Sequence, residues 1–171
     1  VYNDVKGQFV YDVKNNCIAD KIFNAVRAKG LDAGCDSEYL SWQNSMQFMS
    51  NIIDTPDIDN DVRICIEYNI PLTSKRVDFI IAGADDSGND NVVIVELKQW
   101  QKADVVADDM HYCVRTFVAN SDRIVCHPSY QAYSYSCFLR NYSQSLTDDN
   151  INLIPCAYLH NYQPEYRQTL S

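Results

Sequence analysis

Three residues near the middle of the chain have types and spacing suited to hydrolytic chemistry: Asp78, Glu96 and Lys98. Glu96 and Lys98 are two apart in the apolar run Asn91-Val92-Val93-Ile94-Val95-Glu96-Leu97-Lys98, which predicts a strand, so both point from the same face. Asp78 belongs to a second such run, Arg76-Val77-Asp78-Phe79-Ile80-Ile81-Ala82, and the intervening Ala84-Asp85-Asp86-Ser87-Gly88-Asn89-Asp90 is strong turn composition. If that turn closes a symmetric hairpin, Asp78 pairs near position 97 and approaches both partners. Buried charges are costly unless they are paired or hold a metal. Two carboxylates with room for waters suit a hard cation such as Mg²⁺ or Mn²⁺. An ammonium beside a metal-bound water could orient it, assist its deprotonation or stabilise charge developing on a phosphate. The same spacing also fits an internal ion pair that merely neutralises its own strands.

The elements that must position these groups can be read along the chain. Ile18, Ile22 and Val26 recur every four residues, with Asn15 or Asn16 as cap and Gly30 as stop, which predicts a short amphipathic helix. A second helix starts near Asp36 or Ser37, carries the stripe Tyr39, Trp42, Met46, Met49 and Ile53, and ends at Thr55-Pro56. Glu38 lies one turn before Trp42, on or beside the buried face, an unusual place for a carboxylate. Arg63–Ile70 predicts the first of three strands, and near-continuous apolar character in the other two suggests central strands covered on both faces. Residues 101–109 read as a loop, and 110–118 with 122–126 as a hairpin. Pro128 opens a helix to about Tyr142, and 151–158 reads as a final buried strand. The expected fold class is α/β with one mixed sheet.

Composition narrows the setting. The 171 residues suit one domain, with 46% hydrophobic and 22% charged residues, which excludes wholesale disorder. No apolar run approaches the roughly 20 residues needed to span a bilayer, and no secretory signal opens the sequence, so a cytoplasmic setting is expected. A start at Val1 rather than Met suggests a piece of a longer protein. The seven cysteines are odd in number and scattered without a CxxC pair, which argues for reduced thiols. His111, Cys113, Cys126 and His127 only loosely imitate zinc-ligand spacing, and two strands of a hairpin account for them as well. The net charge of −9 disfavours a surface that grips nucleic acid everywhere, but not an enzyme that handles it in a metal-filled cleft.

Asp78 followed, a hairpin's length later, by Glu96-Leu97-Lys98 resembles the PD-(D/E)XK nuclease motif, with Val77 where many members have Pro. Gln131-Ala132-Tyr133-Ser134-Tyr135 is similar to the QxxxY motif of the RecB-like branch, and Glu38 matches the extra acid on the preceding helix. A closer resemblance covers most of the chain. Glu67-Tyr68-Asn69-Ile70-Pro71, Lys75-Arg76-Val77-Asp78-Phe79, Glu96-Leu97-Lys98-Gln99-Trp100 and His127-Pro128-Ser129-Tyr130-Gln131-Ala132 look like the nuclease-like region preceding the helicase in DUF2075 (Schlafen group 3-type) bacterial proteins.

The resemblance implies a restriction-endonuclease-like core, a central mixed β-sheet flanked by helices in α-β-β-β-α-β order, with a small hairpin insertion. It implies a single nuclease-like domain over residues 1–171, a Mg²⁺ cofactor for which Mn²⁺ can substitute, and a role in defence or repair. The nucleic-acid partner is expected to be DNA rather than RNA, and the helicase lies elsewhere in the parent chain, since no GxxxxGK[ST] occurs here. Asp78, Glu96, the Leu97 carbonyl and Glu38 are the expected metal ligands. Lys98 is expected to position the attacking water, with Gln131 and Tyr135 supporting it or the substrate. On physical grounds alone, Gln131, Tyr135, Phe138 and Tyr142 share one helix face and would serve equally as a packing stripe. Trp100 could stack on a base or pack against the sheet edge. Lys102, Arg115 and Arg123 could meet phosphates or simply be solvated, and His127 reads as a helix cap or loop anchor. The rival reading is a nuclease-fold module that binds or scaffolds without cutting.

Overall fold

The computed structural model describes residues 1–31, 36–106, 112–143, 146 and 151–169. The elements run β1 (Tyr2–Val5), α1 (Lys6–Lys14), α2 (Ile18–Ala28), α3 (Asp36–Ile53), β2 (Arg63–Asn69), β3 (Arg76–Ala84), β4 (Asp90–Lys98), β5 (Asp104–Val105), β6 (Cys113–Val118), β7 (Ser121–Cys126), α4 (Pro128–Tyr142) and β8 (Asn152–Leu159). A 3₁₀ turn, Pro164–Thr169, follows. The fold is mixed α/β. Its main sheet has five strands in the order β1-β2-β3-β4-β8, and a second sheet of three strands has the order β5-β6-β7. Pairing in the main sheet is antiparallel as far as β4 and parallel between β4 and β8. β8 is not the buried strand expected, since only Leu153 in it is buried, and Pro155 is tolerated there because this is an edge strand with one side free of a ladder.

Both central strands are covered on two faces, as their continuous apolar runs predict. Phe79 and Val95 pack with Ile22, Trp42, Met46 and Met49 of α2 and α3, while Ile80 and Ile94 pack with Tyr135 and Leu139 of α4. Two core layers therefore sandwich the sheet, and they meet at the end of β3 and β4 that carries Asp78 and Glu96.

Three local points need correction or addition. Residues 2–14, where the sequence pattern predicts no element, form β1 and α1, which add an edge strand and a helix. The helical pattern of α1 is hidden because Asp12 is one of its buried positions. Its carboxylate accepts from the Tyr2 hydroxyl (2.9 Å), Gln8 Nε2 (2.7 Å) and Lys21 Nζ (2.7 and 2.8 Å), which offsets the cost of burial. The residue preceding α2 is Cys17 rather than Asn15 or Asn16, while Gly30 does end that segment at φ +67, a backbone conformation that favours glycine. The 101–109 segment is not all loop, since Asp104–Val105 pairs with β6.

The hairpin of β6 and β7 sets Cys113 opposite Cys126. His127 is the N-cap of α4, its Nδ1 accepting from the Ser129 N–H at 3.2 Å, and His111 lies outside the described residues. Among the described residues no helix is long and apolar enough to cross a membrane.

Candidate active site

Two ladders open at the same point. Across β2 and β3 the pairs run from Arg63–Ala82 to Ile66–Phe79 and resume at Tyr68–Val77, skipping Glu67 and Asp78. Across β3 and β4 the last pair is Phe79–Val95, so Asp78 and Glu96 lie one step beyond it. Asp78 thus falls opposite Glu96, one residue from the position that a symmetric turn suggests. Beyond the end of the β3–β4 ladder, and still paired with Tyr158 of β8, Leu97 donates its N–H to Asp78 Oδ2 at 2.8 Å.

Glu96 is 1% exposed, and its Oε1 is 2.5 Å from Lys98 Nζ. Its other oxygen, Oε2, is buried without a hydrogen-bond partner. Burial, reinforced by the Glu96 charge, pushes the Asp78 carboxyl up to about 7, against the pull of the Leu97 amide and Lys98. Glu96 is also pushed up, chiefly by burial, with the Lys98 ammonium opposing. Two like-charged carboxyls beside one ammonium therefore hold a proton near neutrality unless a further cation joins them. The unpartnered Oε2 and the strained acid pair fit a hard, oxygen-seeking dication.

Glu38 reaches the same cleft but is engaged elsewhere: its Oε1 is 2.7 Å from Arg76 Nη2. Arg76 Nη1 lies 3.2 Å from Glu67 Oε2, out of alignment for a hydrogen bond, so the guanidinium sits between the two acids. Glu67 Oε1 accepts from Trp42 Nε1 at 2.7 Å. Among the described residues no three acidic, histidine or cysteine side chains form a ready-made metal cluster. Glu67, Arg76 and Trp42 are site residues that the sequence reading passed over. The one available signal was Glu67 itself, the single charge inside the apolar run Ile64–Ile70. Its backbone is left-handed, φ +53, which breaks strand alternation and turns the carboxylate toward α3. Burial raises the Glu67 carboxyl, against Trp42 and Arg76.

Glu38, Glu67 and Asp78, opposed by Lys75, Arg76 and Lys98, line a cleft of about 430 Å³ between α3 and α4, while the buried Glu96 is not among its lining residues. Tyr135 completes the wall from α4 and accepts from Gln131 Nε2 at 2.8 Å. Its phenol is pushed up to about 12, first by burial and then by the Glu96 charge. Gln131 therefore touches the site through Tyr135. Beyond Lys98, Gln99 Nε2 donates to Ser41 Oγ (2.8 Å) and Ser45 Oγ (3.2 Å), tying the end of β4 to α3. Lys98 Nζ also stands 5.7 Å from the centre of the Trp100 ring.

The arrangement can hold a divalent cation on oxygen, present an ammonium to a water or phosphate, and balance added negative charge with Lys75 and Arg76. No protein-family model, curated protein or solved structure matches the chain.

Proposed function

We propose that this chain is a metal-dependent nuclease domain with a restriction-endonuclease-like core, hydrolysing phosphodiester bonds in nucleic acid, DNA in preference to RNA. The observation that carries the reading is the placement of Asp78 opposite a fully buried Glu96, whose Oε1 is 2.5 Å from Lys98 Nζ and whose Oε2 has no partner. Such a cluster is costly as a structural ion pair and well suited to a cation. Support comes also from the order α3-β2-β3-β4-α4-β8, the α-β-β-β-α-β sequence of the PD-(D/E)XK core, and from the Gln131–Tyr135 contact beside it.

Asp78, Glu96 and the Leu97 carbonyl are the proposed ligands of Mg²⁺ or Mn²⁺, with Glu38 joining directly or through water once released from Arg76. A cation held by these residues would supply an acidified water and neutralise phosphate charge. The residues of the chain do the rest. Lys98, held on Glu96, orients the attacking water and offsets charge on the phosphate. Lys75 and Arg76 bind phosphate oxygens at the cleft mouth. Gln131 fixes the Tyr135 phenol oxygen, leaving the phenol proton to be donated toward the substrate or a water. In the parent protein the domain is proposed to work beside a helicase, in the cytoplasm.

Cleavage of single- and double-stranded DNA and RNA in Mg²⁺, Mn²⁺ and EDTA, with Lys98→Ala as the control, tests the reading. Metal-dependent cleavage by wild type and none by the variant is expected. Equal activity of the two proteins overturns it.

A further inference from the structure

We propose that a second cavity, adjoining the acidic centre, is a nucleobase subsite that takes one unstacked base next to the phosphate held there. The inference rests on the nuclease reading of that centre and adds the substrate class: nucleic acid with a single-stranded or splayed nucleotide.

The cavity, about 630 Å³, opens where three separate pieces of chain meet. The segment after β4 contributes Gln99, Trp100 and Lys102, β6 contributes Phe117, and the C-terminal turn contributes Gln163 and Tyr166. The walls are pinned to one another. Thr116 Oγ1 donates to the Lys102 carbonyl at 2.8 Å, and the Gln163 N–H donates to the Gln101 carbonyl at 3.0 Å. The Tyr162 hydroxyl accepts from the Ala103 N–H and donates to the Ala103 carbonyl, both at 3.1 Å, with Ala103 fully buried. A volume in the usual ligand-pocket range thus exists before any ligand arrives.

Its chemistry is that of base recognition. Three aromatic rings offer π-faces for stacking, and the side-chain amides of Gln101 and Gln163 offer the paired donors and acceptors that match a base edge, Gln99 being engaged by Ser41 and Ser45. Phe117 is 60% exposed, so it is not needed to fill a core of its own hairpin, whose inward residues are Val114 and Thr116. The cavity also has a fixed relation to the acidic centre. The Trp100 ring lies 5.7 Å from the same Lys98 ammonium that contacts Glu96. A base on this platform therefore belongs to a nucleotide adjoining the phosphate under attack. In a duplex, neighbouring bases cover both π-faces, so an aromatic slot of this kind selects a strand whose base is free. Because the chain carries a net charge of −9, binding driven by stacking should weaken only slowly with salt, unlike binding driven by phosphate contacts.

The test uses the 171-residue chain in EDTA and a fluorescein-labelled oligodeoxythymidylate, read by anisotropy. Phe117→Ala, at an exposed position outside the acidic centre, should weaken binding roughly 5- to 150-fold, the span of one base–aromatic stack. Phe117→Trp should restore it, and melting temperatures should be unchanged in both variants. An abasic strand of the same length, or a blunt duplex, should bind more weakly than the thymidylate strand. No binding by wild type, equal binding by wild type and Phe117→Ala, or equal binding of thymidylate and abasic strands overturns the subsite. Cleavage in Mn²⁺, assayed separately, keeps the two readings apart. Cleavage with Phe117-independent binding removes the subsite and leaves the nuclease. Phe117-dependent binding without cleavage keeps the base slot and removes the catalytic reading of Asp78, Glu96 and Lys98.

Discussion

Replacing Asp78 by Asn should make the metal-free protein more stable, by an amount that depends on pH. Burial and the Glu96 charge raise the Asp78 carboxyl from 3.8 to about 7 in the folded state. The folded protein therefore holds this proton more tightly than the unfolded chain does. The stabilisation from that proton is fully present below the unfolded value of 3.8 and is lost as pH rises to about 7. One pKa unit corresponds to about 1.4 kcal/mol, so the ionised group costs the fold roughly 4 kcal/mol above neutrality. The introduced amide keeps the shape, can still accept from the Leu97 N–H and has no charge to bury. The stability difference between Asp78→Asn and wild type in EDTA should thus grow by about 2 to 3 kcal/mol between pH 5 and pH 8. Urea unfolding of both proteins across that range reads it, as a change of about 1 M in the gap between midpoints at a slope of ~2 kcal/mol/M. The difference between proteins matters more than either curve, since it cancels other carboxyls such as Asp12, whose shift has the opposite sign. A gap that stays constant with pH, or a variant destabilised throughout, would refute the reasoning and point to a structural Asp78–Lys98 ion pair.

The other predictions follow from the same contacts. Mn²⁺ should raise the melting temperature of wild type and raise that of Asp78→Asn much less, because the ion stabilises only the state that binds it; equal shifts would exclude Asp78 as a ligand. Lys98→Ala should reduce cleavage by at least about 100-fold while Mn²⁺ affinity, measured by calorimetry, persists, because the ammonium is no ligand. Tyr135→Phe removes the oxygen that accepts from Gln131 and should lower activity about tenfold at an unchanged melting temperature; normal activity would reduce the pair to packing. Arg76→Ala leaves Glu38 and the buried Glu67 without their shared cation and should cost about 1–3 kcal/mol in urea unfolding, and an unchanged midpoint would show the pairing to be idle.

Much of this molecule was legible from local pattern. The helix from Pro128 to Tyr142, the three strands around Asp78 and Glu96, and the final strand follow from periodicity, turn composition and proline, which act over a few residues at a time. The meeting of Asp78, Glu96 and Lys98 was equally readable, since one tight turn fixes the register of two adjacent strands. What sequence alone left undetermined depends on contacts between distant elements. Asp12 hid a helix because a buried acid looks like a surface residue until Tyr2, Gln8 and Lys21 are seen to neutralise it. Glu67 looked like an ordinary strand carboxylate. Its left-handed backbone turns it to Trp42, twenty-five residues earlier, and brings it beside Arg76. Arg76 in turn engages Glu38 as well as Glu67, a competition among charges that spacing does not encode. The cavity beside Trp100 needs the C-terminal turn docked on residues 101–103, through hydrogen bonds spanning about sixty positions. Periodicity reports which face of an element is buried. Which group waits on the other side of that face is decided only when the chain closes on itself, because burial turns small differences in placement into large differences in electrostatic energy.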